Sequence, residues 1–352
     1  MTLAKDPTAT SSARLKQISI VGAGAIGQLI YHQLSSAVNA SSVSLNIISR
    51  AQHSKQQKLT FTDLNNVEST YIAELVGQDD YGQQLPKTDL LIVCVKAYQV
   101  VAALKILIPM LSSHCHILLL HNGMGPHLDV ANMLKGQSLT LGTTSQGALK
   151  QSAWHTKQTG KGITQLGTFN TESIFNSQST VNTKNAFHPQ KAFSQQRASK
   201  QRVLPESLKN ILLSAIPHSQ WCVDILTMLW QKLAINVAIN PLTAIHHCHN
   251  GQLADEQYRD IITAVVIELV NVAKAEHISL ALPAILDKVY QVIALTAANY
   301  SSMHQDVQHQ RTTEIDAING FVVQMAKRHG IATPHNQQLV DHIKHLELQY
   351  QR

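Results

Sequence analysis

Residues 17–34 read QISIVGAGAIGQLIYHQL, and this stretch decides the fold. Gln17 to Val21 alternates apolar and polar residues, as a strand does. It runs into Gly22-Ala23-Gly24-Ala25-Ile26-Gly27, after which Ile26, Leu29, Ile30 and Leu34 recur at the spacing of one helix face. Strand, Gly-x-Gly-x-x-Gly and helix in that order make a dinucleotide-binding turn. Gly22 allows the tight turn, Gly24 lets the backbone approach a pyrophosphate, and Gly27 lets helix and strand pack closely. The helix start offers free N–H groups and a positive dipole end to the phosphates. Gly22, Ala23, Gly24, Ala25, Ile26 and Gly27 are therefore candidate cofactor contacts. A second strand, Val43 to Ser49, ends on Arg50. An Asp or Glu at that point would bond a ribose 2′-hydroxyl. A cation there suits a 2′-phosphate instead, so the sequence predicts NADP(H) rather than NAD, with Arg50 as the contact.

Outward from this core, Leu90–Val95 and Ile117–Leu120 are apolar runs of strand length, and Leu139–Thr143 and Ile163–Leu166 are further short strands. Apolar runs between helical stretches suit a parallel sheet covered on both faces. Residues 169–204 are rich in Ser, Gln, Asn, Thr and Lys without a period, and read as a polar insertion. A helix resumes over 205–216. From Asp224 the text is helical in period, with helices expected near 224–240, 253–277, 283–298, 303–329 and 335–350. The fold class expected is α/β: an N-terminal Rossmann-type, doubly wound parallel sheet (residues 1–223, with 1–16 a flexible extension) followed by an all-helical domain (residues 224–352).

Composition narrows the function. At 352 residues, two domains with sizeable cores are expected. The chain is 44% hydrophobic and 14% charged, which is globular rather than disordered. No run of eighteen uncharged apolar residues predicts a membrane span, and no apolar segment near the start reads as a secretory signal. The net charge of +6 is scattered without a basic run, which argues against nucleic acid and for steering of a small anion. Cys94, Cys115, Cys222 and Cys248 lie far apart and form no CxxC pair, as expected of reduced thiols in the cytoplasm. His246, His247, Cys248 and His249 are adjacent, and neighbours on a helix point different ways, so no metal is expected.

The second informative stretch is LWQKLAINVAINPLTA, residues 229–244. Lys232, Asn236 and Asn240 stand four residues apart and fall within roughly 80° of one helix face. The rest of the circumference is apolar, so the helix should be buried. A buried polar stripe needs partners or a polar cavity, because an unsatisfied group costs roughly 1–3 kcal/mol. A desolvated lysine gives up its charge readily and can act as a proton donor near neutral pH. Pro241 should bend or stop the helix just after Asn240.

In the combination of these motifs with several others, the chain resembles the ketopantoate reductases (2-dehydropantoate 2-reductases). The resemblance rests on residues 229–244 together with LLLHNGMG (118–125), VKAYQ (95–99), GTT (142–144) and SSMHQDVQHQRTTEIDAINGF (301–321), and runs from Ile18 to about His329. It implies Lys232 as general acid, in contact with the substrate. Asn236, Asn240, Asn250, Asn299 and Ser302 are implied as further substrate contacts, and Asn122 as lying between substrate and cofactor. Lys96, the Ala148 backbone and Glu314 are implied as cofactor contacts. The insertion at 169–204 and the N-terminal extension depart from the family. From the residues themselves, Lys96 and Asn122 follow strands and so belong at the carboxyl ends of the sheet. Ser302 and Gln305 form an apparent capping box, and Glu314 lies roughly 18 Å further along a straight helix. Glu314 could equally form an exposed pair with Arg311.

The function expected is NADPH-dependent reduction of ketopantoate to (R)-pantoate, a step of pantothenate synthesis, by a monomer or homodimer. Two alternatives keep the same fold: a related NADP-dependent 2-keto or hydroxy-acid dehydrogenase, and a non-catalytic NADP sensor. Retention of Lys232 with Asn236, Asn240 and Ser302 weighs against a sensor, which needs no proton donor.

Overall fold

The computed structural model describes residues 15–37, 42–169 and 202–350. The strands are β1 (Lys16–Val21), β2 (Val43–Ile48), β3 (Lys55–Thr62), β4 (Glu68–Val76), β5 (Leu90–Val93), β6 (His116–Leu119), β7 (Ser138–Thr144), β8 (Gly147–Ser152), β9 (His155–Gly160), β10 (Thr164–Thr168) and β11 (Ser219–Trp221). They form one sheet in the order β11-β10-β7-β6-β5-β1-β2-β4-β3-β9-β8. The stretch from β7 to β4 is parallel throughout, as expected. Antiparallel pairs lie outside it: β10 on β7, β3 on β4 and β8 on β9.

The central strands are buried on both faces because successive side chains point to opposite sides. Leu91 and Val93 of β5 join one core and Leu90 and Ile92 the other. Helices α1 (Ala25–Ala37) and, later in the chain, α5 (Glu206–Ala215) cover one face through Ile30, Leu34, Leu208 and Leu212. The short α2 (Tyr81–Gln84) together with α3 (Ala97–Leu107) and α4 (Pro126–Met133) packs on the other. That second core continues without a break into the helical half, which comprises α6 (Ile225–Ile245), α7 (Arg259–Ala275), α8 (Leu282–Leu295), α9 (Ser302–Gln308), α10 (Asn319–His329) and α11 (Pro334–Gln349).

Several expectations are corrected. Strands β3, β4, β8, β9 and β11 were not anticipated, and Lys16 belongs to β1 rather than to a flexible extension. Phe169 is buried and bonded to Leu139 rather than opening a solvated insertion. Residues 1–14 and 170–201, where the rest of the extension and most of the insertion were placed, lie outside the described residues. The helix expected over 253–277 begins only at Arg259, after two tight turns.

Pro241 does not stop α6, which runs on to Ile245. A proline leaves the carbonyl four residues back without its N–H. That carbonyl, on Val237, instead accepts from Asn319 Nδ2 on α10 at 3.0 Å. The single helix expected over 303–329 is broken. Gln310 takes a left-handed φ of 52°, Arg311 N bonds Asp306 O and Gln310 N bonds Val307 O. This is a Schellman ending, which reverses the chain without needing glycine.

Candidate active site

Apart from Ala148, which lies within the antiparallel β8, the candidate contacts on the sheet half follow the carboxyl ends of parallel strands. The glycine turn follows β1, Arg50 β2, Lys96 β5 and Asn122 β6, while Thr144 ends β7. The chain steps from β1 outward to β2 and later returns on the other side of β1 as β5. Ligands of open α/β sheets sit at such a reversal.

The glycines have the three different environments their spacing predicts. Gly22 has a φ of 103°, which a side chain rarely adopts. A Cβ on Gly27 would stand 1.9 Å from the Gly22 carbonyl, so only glycine lets α1 lie this close to the turn. A Cβ on Gly24 would meet nothing within 4 Å, leaving the backbone open on the side where a pyrophosphate would approach. Arg50 is exposed beyond β2, its carbonyl bonded by Gln78 Nε2 at 2.6 Å. Ala148 sits at an irregularity in β8. Lys150 of that strand reaches the Ala23 carbonyl at 3.4 Å, which sets β8 beside the glycine turn.

Lys232 projects from α6 to the sheet. Its Nζ donates to Thr144 O at 2.7 Å and to Asn122 Oδ1 at 3.1 Å. Burial pushes the ammonium down to about 8, and the Glu314 carboxylate pulls the other way. Asn122 Nδ2 donates in turn to Glu314 Oε2 at 3.4 Å. Glu314 is buried and accepts from Lys96 Nζ at 3.3 Å and from Ala97 N at 2.9 Å. It is therefore not the exposed partner of Arg311. Lys96 also donates to Asp306 Oδ2 at 2.6 Å. Burial pulls Lys96 down, but the Glu314 and Asp306 carboxylates outweigh it and hold its pKa above the ordinary lysine value. Burial likewise raises Asp306, against the pull of Lys96. Two lysines about one carboxylate thus differ: Lys96 is locked as a cation and Lys232 is poised to lose its proton.

The asparagine contacts lie further along α6. Asn236 borders a small cavity with Lys232, and Asn240 is buried. Asn250 N bonds Asn299 O at 2.9 Å, and its Nδ2 bonds Thr296 at 2.9 Å, while its buried Oδ1 has no partner among the described residues. Asn299 is exposed. The cap of α9 is Ser301, not Ser302: Ser301 Oγ accepts from His304 N at 3.0 Å and from Thr243 of α6 at 2.7 Å. Ser302 is the first helical residue and is exposed. Among the described residues no hydrogen bond joins this group to Lys232, whose partners are Asn122 and Thr144, and the axial rise from Lys232 to Asn240 is about 12 Å. Because α9 ends at Gln308, Glu314 does not lie along its axis, and Asp306 and Glu314 meet at one ammonium.

Sequence reading missed Asp306, Ser301 and the Thr144 carbonyl. Asp306 stood inside the quoted 301–321 motif, but a continuous helix gave no reason for it to meet Lys96. The histidines 246–249 diverge: His246 packs edge-on to Tyr258, His247 edge-on to His304, and His249 stacks on Tyr300. Among the described residues no His/Cys/Asp/Glu group could hold a metal, no helix is long and apolar enough to cross a membrane, and the four cysteines are free.

Two family models match the chain: Ketopantoate reductase PanE/ApbA over residues 18–171 and Ketopantoate reductase PanE/ApbA C terminal over residues 224–347. A 2-dehydropantoate 2-reductase of Vibrio cholerae is 41% identical over 74% of this chain and 78% of its own. One from Escherichia coli O157:H7 is 33% identical over 96% of this chain and 97% of its own. Among solved structures, D-mandelate dehydrogenase with NADH and anilino(oxo)acetate superposes with a TM-score of 0.77 at 20% identity, covering 96% of this chain and all of that one. A PanE/ApbA family ketopantoate reductase from Ralstonia eutropha gives 0.75 at 21%, with the same coverage. Both likenesses are of fold.

Proposed function

The chain belongs to the ketopantoate reductase family, and from that premise we propose that it reduces 2-dehydropantoate to (R)-pantoate with NADPH, with Lys232 as the proton donor. The observation that carries the reading is the reach of Lys232 Nζ across the cleft to Asn122 and Thr144. Two of its three N–H groups are committed there, which aims the ammonium and leaves the third for a ketone oxygen.

The glycine turn fits a dinucleotide: positive φ at Gly22, open space at Gly24 and close packing at Gly27. Gly22 to Gly27, Lys96, Asn122, the Ala148 backbone and Glu314 would hold it. Arg50 ends β2 where an NAD enzyme carries a carboxylate, which supports NADP(H). When bound, the reduced nicotinamide supplies a hydride to the ketone carbon. Lys232 stabilises the developing alkoxide and gives it a proton. Asn236, Asn240, Asn250, Asn299 and Ser302 would orient the keto acid along α6. Glu314 favours the ammonium form of Lys232 and caps α3. We further propose a cytoplasmic enzyme of pantothenate synthesis, monomeric or homodimeric, with its nucleotide domain ending near residue 223.

Loss of reduced-nicotinamide absorbance with purified protein and ketopantoate tests this. Turnover of other 2-keto acids but not ketopantoate would reassign the chain to a hydroxy-acid dehydrogenase. NADPH binding without turnover of any keto acid would make it a sensor.

A further inference from the structure

Between α6 and the ends of β6 and β7 lies a cavity of about 10 Å³, the room a single water needs. Leu229 and Leu233 form its apolar wall, and His121, Thr143, Lys232 and Asn236 bring polar groups to it. Thr143 is 4% exposed, and its Oγ1 is buried with no hydrogen-bond partner among the described residues. Such a hydroxyl costs roughly 1–3 kcal/mol unless something meets it. His121 Nδ1 faces the Asn122 carbonyl at 3.0 Å and so carries the hydrogen, leaving Nε2 as an acceptor on a ring that burial keeps neutral.

We propose that this cavity holds one ordered water, anchored by the Thr143 hydroxyl and accepting the third N–H of Lys232, so that Thr143 is a positioning residue for the proton donor. The site has the polar partners a buried water requires, with His121 and Asn236 beside the other two. The water completes the shell of the ammonium while no ketone is present, and yields that N–H when one arrives. The other charged and titratable groups around Lys232 are Glu314, backed by Lys96 and Asp306, and His121. His121 shares the cavity with Thr143, and among the described residues none of these groups hydrogen-bonds the Thr143 hydroxyl. The inference rests on the proposed reductase reading for its kinetic test but not for its chemical one.

Thr143→Val removes the hydroxyl at nearly constant volume, and Thr143→Ser keeps it. In the valine variant kcat/KM for ketopantoate is expected to fall about tenfold above pH 8, with kcat, KM at pH 6 and Kd for NADPH within about twofold. The alkaline limb of kcat/KM should move about one unit to lower pH, since an ammonium that loses an acceptor gives up its proton sooner. The serine variant should restore both. Independently, reductive methylation of Lys232 followed by mass spectrometry across pH should show its midpoint lowered by the same amount in Thr143→Val. An unmoved midpoint and limb overturn the proposal. A raised KM at pH 6, where Lys232 is protonated in both proteins, also overturns it, because Thr143 would then touch the substrate. A wild-type protein inactive on ketopantoate, with the methylation midpoint still shifted by Thr143→Val, refutes the reductase reading and leaves the water in place.

Discussion

Glu314, from the helical half, accepts the backbone hydrogen of Ala97 at the start of α3 in the sheet half, at 2.9 Å. A carboxylate at a helix N-terminus is favoured by the free N–H groups and the dipole. Here it comes from 217 residues away. The same carboxylate takes Lys96 and Asn122, so one side chain ties the helical half to the sheet half and to the asparagine that holds Lys232.

Lys232→Met separates activity from stability. Turnover of ketopantoate should fall roughly 10²–10⁴-fold, the usual contribution of a general acid, with NADPH affinity little changed. Folding stability at neutral pH should rise, by at most about 3 kcal/mol. The folded pKa lies below the unfolded one, so the penalty is complete below about pH 8 and vanishes as pH climbs past the ordinary value of 10.5. Urea unfolding at pH 7 and pH 10 checks this: the gain should shrink at the higher pH.

The rate of the wild-type enzyme should decline as pH rises through about 8, as Lys232 loses its proton. Glu314→Gln removes the charge that favours the ammonium, so the decline should begin at lower pH. A pH profile of kcat/KM for both proteins measures the displacement, and an upward shift would contradict the assignment.

Arg50→Ala should weaken NADPH binding roughly 10- to 100-fold, the worth of one or two charge-assisted hydrogen bonds. NADH binding should change by less than about twofold, since no 2′-phosphate is involved. Fluorescence titration with both nucleotides reads the difference. An equal loss for the two would move Arg50 away from the ribose.

Asn319→Ala should destabilise the fold by about 1–3 kcal/mol, because it strips the Val237 carbonyl of its donor and breaks the bond to Asn336. Pro241→Ala restores an N–H four residues on, so the double variant should lose less than the two single losses added together. A double-mutant cycle from urea midpoints gives the coupling.

The parallel strands and the glycine turn were legible because burial on both faces imposes local patterns: apolar runs, fixed glycine spacing and a helical period. The outer strands were not. In β3 (KQQKLTFT) and β8 (GALKQS) most residues are polar and few are buried, so no apolar alternation marks them even though each pairs with the strand that follows it. The polar face of α6 singled out Lys232, since polar groups on a buried helix demand partners, and the structure gives it Asn122 and Thr144. The fate of Pro241 was hidden, because its compensation is supplied from Asn319. The reversal at Gln310 was hidden because glutamine, not glycine, adopts the left-handed turn. The Thr144 carbonyl could not be read at all, as any residue type supplies the same oxygen.

The side-chain bond from Asn319 to the middle of α6 has a mechanical corollary. A rod pinned at its midpoint cannot slide lengthwise without baring the Val237 oxygen in a dry interior. Breathing of the crevice must then be carried by the segments that follow β5, β6 and β7, while the lysine-bearing rod serves as the fixed jaw.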